Sequence, residues 1–117
     1  MNHYENLLSR TEKNFDHKTG LTNAEKNELE EAVKYIIEKC YKEADKGLGS
    51  ALIEFRRTNF VTGTYYSVSV KHKKLLVSKL KDALHGNVEI YAKKYDRNTP
   101  VIFGGDDIFH VGIKWRE

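Results

Sequence analysis

The chain has 117 residues, with 20 Lys and Arg against 17 Asp and Glu, 39% hydrophobic residues and 32% charged ones. That is enough for one domain around one modest core, and too little for separate cofactor and substrate domains. A net charge of +3 does not by itself announce a polyanion partner, and no apolar run approaches the roughly 18 residues needed to cross a bilayer.

Residues Met1 to Gly20 are polar and rich in Asn, Lys and Glu, with room for a short helical turn at Tyr4 to Leu8. The expectation is a mobile arm over 1–20 ahead of a single domain over 21–117. The opening residues lack the basic-then-apolar order of a signal peptide. The one cysteine, Cys40, cannot close an internal disulfide, which favours a reducing compartment. Together these point to a cytoplasmic protein away from membranes.

Thr22-Asn23-Ala24-Glu25 reads as a capping box: the Thr22 hydroxyl accepts from the Glu25 amide while the Glu25 carboxylate reaches back. Leu29, Ala32, Val33, Ile36, Ile37, Cys40 and Ala44 then fall on one stripe at helical spacing, and Gly47 supplies a left-handed stop. A helix over about 23–46 is expected, with Cys40 in the core. Beyond Gly47-Leu48-Gly49 the period changes to two. Ala51, Ile53 and Phe55 alternate with Leu52 and Glu54, and Tyr66, Val68 and Val70 alternate with Ser67, Ser69 and Lys71, predicting two strands. Helical spacing returns at Leu76, Leu80, Ala83 and Leu84, closed by His85-Gly86. Val88, Ile90 and Ala92 predict a third strand, Asp96 to Pro100 a turn, and Phe109, Val111, Ile113 and Trp115 a last strand. The order α-β-β-α-β-β predicts an α+β domain: an antiparallel or mixed sheet of four to five strands with two helices on one face.

Charge is unevenly distributed. From Ala24 to Lys46 five lysines meet seven acids, a net of −2, whereas Tyr65 to Pro100 holds eight basic residues against three acids, a net of +5. Lys71, His72, Lys73 and Lys74 sit where the second helix should begin. The helix dipole already places positive charge there, and no Ser, Thr, Asp or Asn occupies the nearest cap position. Uncapped amides beside clustered lysines suit a phosphate or carboxylate, and Arg56, Arg57 and Lys79 could extend that face. Tyr65, Tyr91 and Tyr95 are expected on polar strand faces among Lys71, Lys93 and Lys94, an arrangement able to stack bases or to form a protein interface. Arg56, Arg57, Lys71, His72, Lys73, Lys74, Lys79, Tyr91 and Lys93 are therefore the candidate binding residues.

A second candidate is Gly104-Gly105-Asp106-Asp107, between the apolar runs Val101-Ile102-Phe103 and Ile108 to Ile113. It can be a hairpin turn made of residues that tolerate tight backbone angles, or two carboxylates placed to grip a cation. Over Val101 to His110 it resembles the hairpin turn of the palm domain in the cyclase-like subunit of type III CRISPR complexes, and more loosely the GDD turn of viral RNA polymerases. That resemblance implies Asp106 and Asp107 as metal ligands; apart from it, Asp106, Asp107 and His110, three residues beyond Asp107, form a nuclease-like set able to bind Mg²⁺ or Mn²⁺. A palm also needs a further strand-borne carboxylate, and the upstream strands offer only Glu54.

The reading that follows is a small non-enzymatic binding or inhibitor protein without a cofactor. It would contact a macromolecule, nucleic acid or a nucleic-acid-binding host protein, through the basic helix start and a tyrosine-lined sheet. The Lys-, Asn- and Ile-rich composition is compatible with a phage or mobile-element origin. The alternative is a small metal-dependent nuclease, or toxin-like ribonuclease, using Asp106, Asp107 and His110.

Overall fold

In the computed structural model, residues 3–16, 19–86, 88–95 and 107–116 are described. From the N-terminus, α1 (His3–Asn14) and a two-stranded antiparallel ribbon, β1 (Phe15–Asp16) and β2 (Leu21–Thr22), lead into α2 (Asn23–Asp45). Then come β3 (Ser50–Arg56), α3 (Gly63–Lys71), α4 (Lys73–Leu84), β4 (Glu89–Tyr95) and β5 (Ile108–Lys114). The architecture is α+β, as the sequence predicts. Its capping box is present in full: Glu25 N donates to Thr22 Oγ1 at 3.1 Å, and Thr22 N donates to Glu25 Oε1 at 3.2 Å.

The main sheet has the order β3-β5-β4, antiparallel throughout, so the last strand in the chain is the central one. Ala51, Ile53 and Phe55 of β3 pair with Ile113, Val111 and Phe109 of β5, and all six are buried on the face that meets the helices. From α2 that core takes Leu29, Ala32, Ile36 and Cys40, from α3 Tyr66 and Val68, and from α4 Leu76 and Leu80. Cys40 is buried, as its place on the stripe predicted, and burial pushes its thiol pKa up.

The expected strand count and helix arrangement are corrected. Tyr66 to Val70 do not form a strand; they belong to α3, whose first turns close through Tyr66 N to Thr62 O at 2.8 Å. The alternation of Tyr and Val with Ser was a coincidence of composition. Thr62, Tyr66 and Ser69 are buried together at helical spacing, and Ser69 is fully covered although alternation assigned it to solvent. Among the described residues the main sheet is therefore three-stranded, and three helices rather than two cover one face. The apolar run Val101 to Phe103 and the turns expected at 96–100 and 104–106 lie outside the described residues.

Two local devices hold α3 against the end of β3. Asn59 Oδ1 accepts from Val61 N and Thr62 N at 2.8 and 3.0 Å, an Asx-type turn, and Arg56 N donates to Thr62 Oγ1 at 3.1 Å. Gly63 lies so close to the strand end that a Cβ there would sit 2.8 Å from the Arg57 carbonyl oxygen. Only glycine allows that approach.

Candidate functional site

No helix packs on the second face of the main sheet among the described residues. Its side chains follow from the register in four cross-strand rows, each running β3-β5-β4: Ser50-Lys114-Glu89, Leu52-Gly112-Tyr91, Glu54-His110-Lys93 and Arg56-Ile108-Tyr95. Leu52, Tyr91 and Tyr95 are large and exposed. This face carries the cations Arg56, Lys93 and Lys114, the carboxylates Glu54 and Glu89, and His110.

The second row explains a break in the burial pattern of β5. Gly112 is buried although it points away from the core, because the Tyr91 ring lies across it. A Cβ added to Gly112 would land within the Tyr91 ring. A glycine inside a central strand is a weak point that a cross-strand aromatic can cover. Here Tyr91 covers the glycine while remaining 52% exposed. In the third and fourth rows, Lys93 Nζ stands 5.1 Å from the Tyr95 ring centroid, and the Tyr95 and His110 rings are 4.6 Å apart. Glu54 lies between Arg56, at 3.4 Å, and His110, whose Nε2 is 3.2 Å from Glu54 Oε1. That last approach is close in distance but not aligned as a hydrogen bond, and the covered Nε2 has no hydrogen-bond partner among the described residues. Tyr91 and Tyr95 are four residues apart on one strand, about 13 Å at 3.3–3.4 Å per residue, so they offer two separate ring surfaces.

Of the sequence-predicted binding residues, the structure brings Arg56, Tyr91 and Lys93 onto this face. Arg57 sits just past the end of β3, where its guanidinium is 3.4 Å from the Asp107 carboxylate. Lys71, His72, Lys73 and Lys74 lie in the helix layer, beside Thr19. The anion expected there is partly supplied by the protein: Glu25 Oε2 is 2.9 Å from His72 Nε2 and 3.0 Å from Lys71 Nζ. Those contacts, the His72 hydrogen bond foremost and Lys71 next, lower the Glu25 carboxyl from its usual 4.5 to about 2. Lys73 and Lys74 stay exposed. Lys79 borders a separate depression with Glu30, Val33 and Asp82. Tyr65, expected on a polar strand face, instead packs in α3 against Tyr35 and Phe55, with ring centroids 5.5 and 5.6 Å away.

Asp106 lies outside the described residues. Asp107 accepts the ladder bond from Arg57 N at 3.1 Å, so it precedes β5 in register and falls on the parity of Phe109 and Val111, whereas His110 takes the other side. Among the described residues, no three His, Cys, Asp or Glu side chains gather where they could hold a metal ion, and no helix is long and apolar enough to cross a membrane.

Two features of the region are absent from the sequence-predicted site. Phe60, at the tip of the β3–α3 loop, is completely exposed and Val61 is 59% exposed; a lone aromatic in a turn has no periodicity to flag it. Gly112 carried a signal, since an isolated glycine in a strand marks a close approach. Compared with protein-family models, with curated proteins and with solved structures, the chain has no match in any of the three.

Proposed function

We propose that the protein is a non-enzymatic binding module that takes a single-stranded nucleic acid across the uncovered face of its sheet. The observation that carries this reading is the seating of Tyr91 on Gly112, with Tyr95 two rows along and Lys93 beside it. Bases stack on exposed rings whatever their sequence, at about 1–3 kcal/mol each, while neighbouring cations hold the phosphates. A duplex hides its base faces and offers such rings nothing to stack on. With only one cation in excess over carboxylates on this face, stacking rather than bulk charge has to supply most of the affinity. Arg56 and Lys114, at the two ends of the face, extend the phosphate path past the tyrosines.

The test is fluorescence anisotropy with labelled single-stranded RNA and DNA and the matching duplexes, across a salt series. Tighter binding of single strands, weakened by Tyr91→Ala and Tyr95→Ala but retained by Tyr91→Phe, supports the proposal. Equal affinity for duplex and single strand, or no binding at moderate salt, rejects it. Retention of a nucleic-acid-binding protein instead of the nucleic acid would give the face the role of a modulator. A parallel incubation with Mg²⁺ or Mn²⁺, with and without chelator, checks the nuclease alternative. Cleavage abolished by Asp106→Ala with Asp107→Ala would replace the binding reading.

A further inference from the structure

β3 is an edge strand of the main sheet, with β5 on one side and no strand on the other among the described residues. The ladder shows which backbone groups that edge leaves open. One step beyond either end of β3, Trp115 N donates to Gly49 O at 2.9 Å and Arg57 N donates to Asp107 O at 3.1 Å. Hydrogen-bonded pairs alternate along an antiparallel ladder, so Ala51, Ile53 and Phe55 direct their backbone groups at β5. Ser50, Leu52, Glu54 and Arg56 direct theirs outward. The loop after β3 takes those of Arg56, whose N donates to Thr62 Oγ1 and whose O accepts from Asn59 N, both at 3.1 Å. The open stretch therefore runs from Ser50 to Glu54, with Leu52 at its centre and 56% exposed. Natural sheets guard open edges with Lys, Pro or a bulge. The other edge strand, β4, has the adjacent lysines Lys93 and Lys94, whereas β3 has neither Lys nor Pro and an unbroken register. Exposed apolar side chains also collect along this edge: Leu48 before the strand, Leu52 within it, and Phe60 and Val61 after it. Thr62, anchored on the outward N–H of Arg56, holds that last pair at the open side.

We propose that this edge pairs with itself: β3 of one copy docks antiparallel on β3 of a second copy, about a two-fold axis through Leu52. The occupant is a second copy because the open stretch is its own complement, as a two-fold interface requires. Centring the pair on Leu52 sets Ser50 of each copy opposite Glu54 of the other, and the two Leu52 side chains opposite each other. Every outward N–H and C=O of Ser50, Leu52 and Glu54 then gains a partner, and no like charges stand directly opposite. Neighbouring registers fail this test. An axis at Ile53 opposes Ser50 to Arg56, whose backbone groups are occupied, and an axis at Ala51 opposes Glu54 to Leu48, outside the strand. The Leu52 axis also brings Leu48 of each copy, opposite Arg56, to the Phe60–Val61 loop of the other. The two main sheets become one, and their uncovered faces join with the tyrosines of β4 on the outermost strands. The contact is short and belongs with the small interfaces below about 1,200 Å². The dimer is accordingly weak and concentration-dependent.

Sedimentation equilibrium on the full chain tests this. The expected mass rises from 13.6 kDa towards twice that value with concentration. Leu52→Glu sets two carboxylates face to face on the axis and should weaken the dimer about tenfold or more. Phe60→Ser removes the loop contact and should weaken it by a smaller factor. Both side chains are exposed. In dilute solution, where the parent is monomeric, the variants should therefore keep its far-ultraviolet circular dichroism and melting temperature. The second measurement is a cross-link: Leu52→Cys in a Cys40→Ser background, oxidised and run on a non-reducing gel. Opposed residues of a hydrogen-bonded pair have Cα atoms about 5.5 Å apart, within the span of a disulfide. Tyr91→Cys in the same background, comparably exposed on β4, is the control. Disulfide-linked dimers that form much faster with Leu52→Cys than with Tyr91→Cys support the pairing. A monomer at every concentration, a dimer indifferent to Leu52→Glu, or equal cross-linking of the two cysteine variants overturns it.

Discussion

The two faces of the main sheet are made by the same three strands, yet they are built on different rules. One face presents Ala51, Ile53, Phe55, Phe109, Val111 and Ile113, all buried under the helices. The other presents tyrosines, lysines, an arginine, carboxylates and a glycine, with no helix over it among the described residues. Burial of a large apolar side chain is worth about 1.5–3 kcal/mol, so the first face carries stability. The second keeps Leu52, Tyr91 and Tyr95 largely exposed, so truncating one of them opens no cavity in the core. A strand with period two can serve both ends at once, because a substitution on one face leaves the other in register.

The sharpest way to break this comparison is to truncate matching aromatics on opposite faces. Phe55→Ala removes a fully buried ring stacked near Phe109, 6.5 Å between centroids. It should cost about 3–5 kcal/mol in urea unfolding. Tyr91→Ala should cost about 1 kcal/mol, because it uncovers Gly112 but opens no core cavity, and should instead remove about 1–3 kcal/mol of single-strand binding. If the two substitutions destabilise the fold equally, the uncovered face is structural and the division fails.

Gly112→Val probes the contact between the glycine and the ring directly. The new side chain occupies the space of the Tyr91 ring, so the ring must leave the sheet. The expected cost is about 1–3 kcal/mol of stability, together with a loss of binding close to that of Tyr91→Ala. In the double variant Tyr91→Ala with Gly112→Val the steric conflict is gone. Its stability should exceed that of Gly112→Val alone, a non-additivity read from a double-mutant cycle. Simple addition of the two effects would mean the ring does not depend on the glycine.

Glu25 offers a comparison between the helix layer and the sheet. Its folded carboxyl is depressed to about 2 from 4.5 by His72 first and Lys71 second. A depressed acid contributes stability that is present above its unfolded value and is lost as pH falls through the folded one. Glu25→Gln should therefore cost about 1–2 kcal/mol at neutral pH, allowing for solvent around Lys71. The gap to the parent should close between about pH 4.5 and pH 2. Urea midpoints of the two proteins across that interval measure it. A gap that persists at pH 2 would assign the effect to the lost cap rather than to the charge pair.

How much of this was legible in the sequence depended on whether a local pattern decided the outcome. Thr22 to Glu25 and the stripe from Leu29 to Cys40 settle α2, because cap and period agree. Ala51 to Phe55 and Phe109 to Ile113 are true strands, since each faces a core that covers one side only. Tyr66 to Val70 read as a strand for the same reason, and wrongly. Nothing local shows that this segment must turn back over the sheet from a loop anchored by Asn59 and Gly63, and packing overrode a β-leaning composition. The candidate site was legible in its residues but not in its grouping. Arg56, Tyr91 and Lys93 meet only because β5 enters the sheet between β3 and β4, a topological fact with no local signature. The lysines at the start of α4 stayed apart for a related reason: Glu25, forty-seven residues before His72, reaches that junction through tertiary packing.

The smallest effect expected is also the one that most directly separates the two basic regions. Lys93→Glu puts a carboxylate on the proposed phosphate path beside Tyr95, so the salt dependence of single-strand binding should flatten by roughly one to two phosphate contacts, each worth a slope of about 0.7. Lys73→Glu with Lys74→Glu reverses two charges in the helix layer and should leave that slope nearly unchanged, with stability altered by less than about 0.5 kcal/mol. Both lysines are exposed, so neither variant should disturb the fold. If the helix-layer pair flattens the slope while Lys93→Glu does not, the anion binds at the start of α4 and the sheet face is a bystander. A change of equal size in both would mean the bound strand runs over the end of the sheet from one layer to the other. The tyrosines would then mark only part of its path.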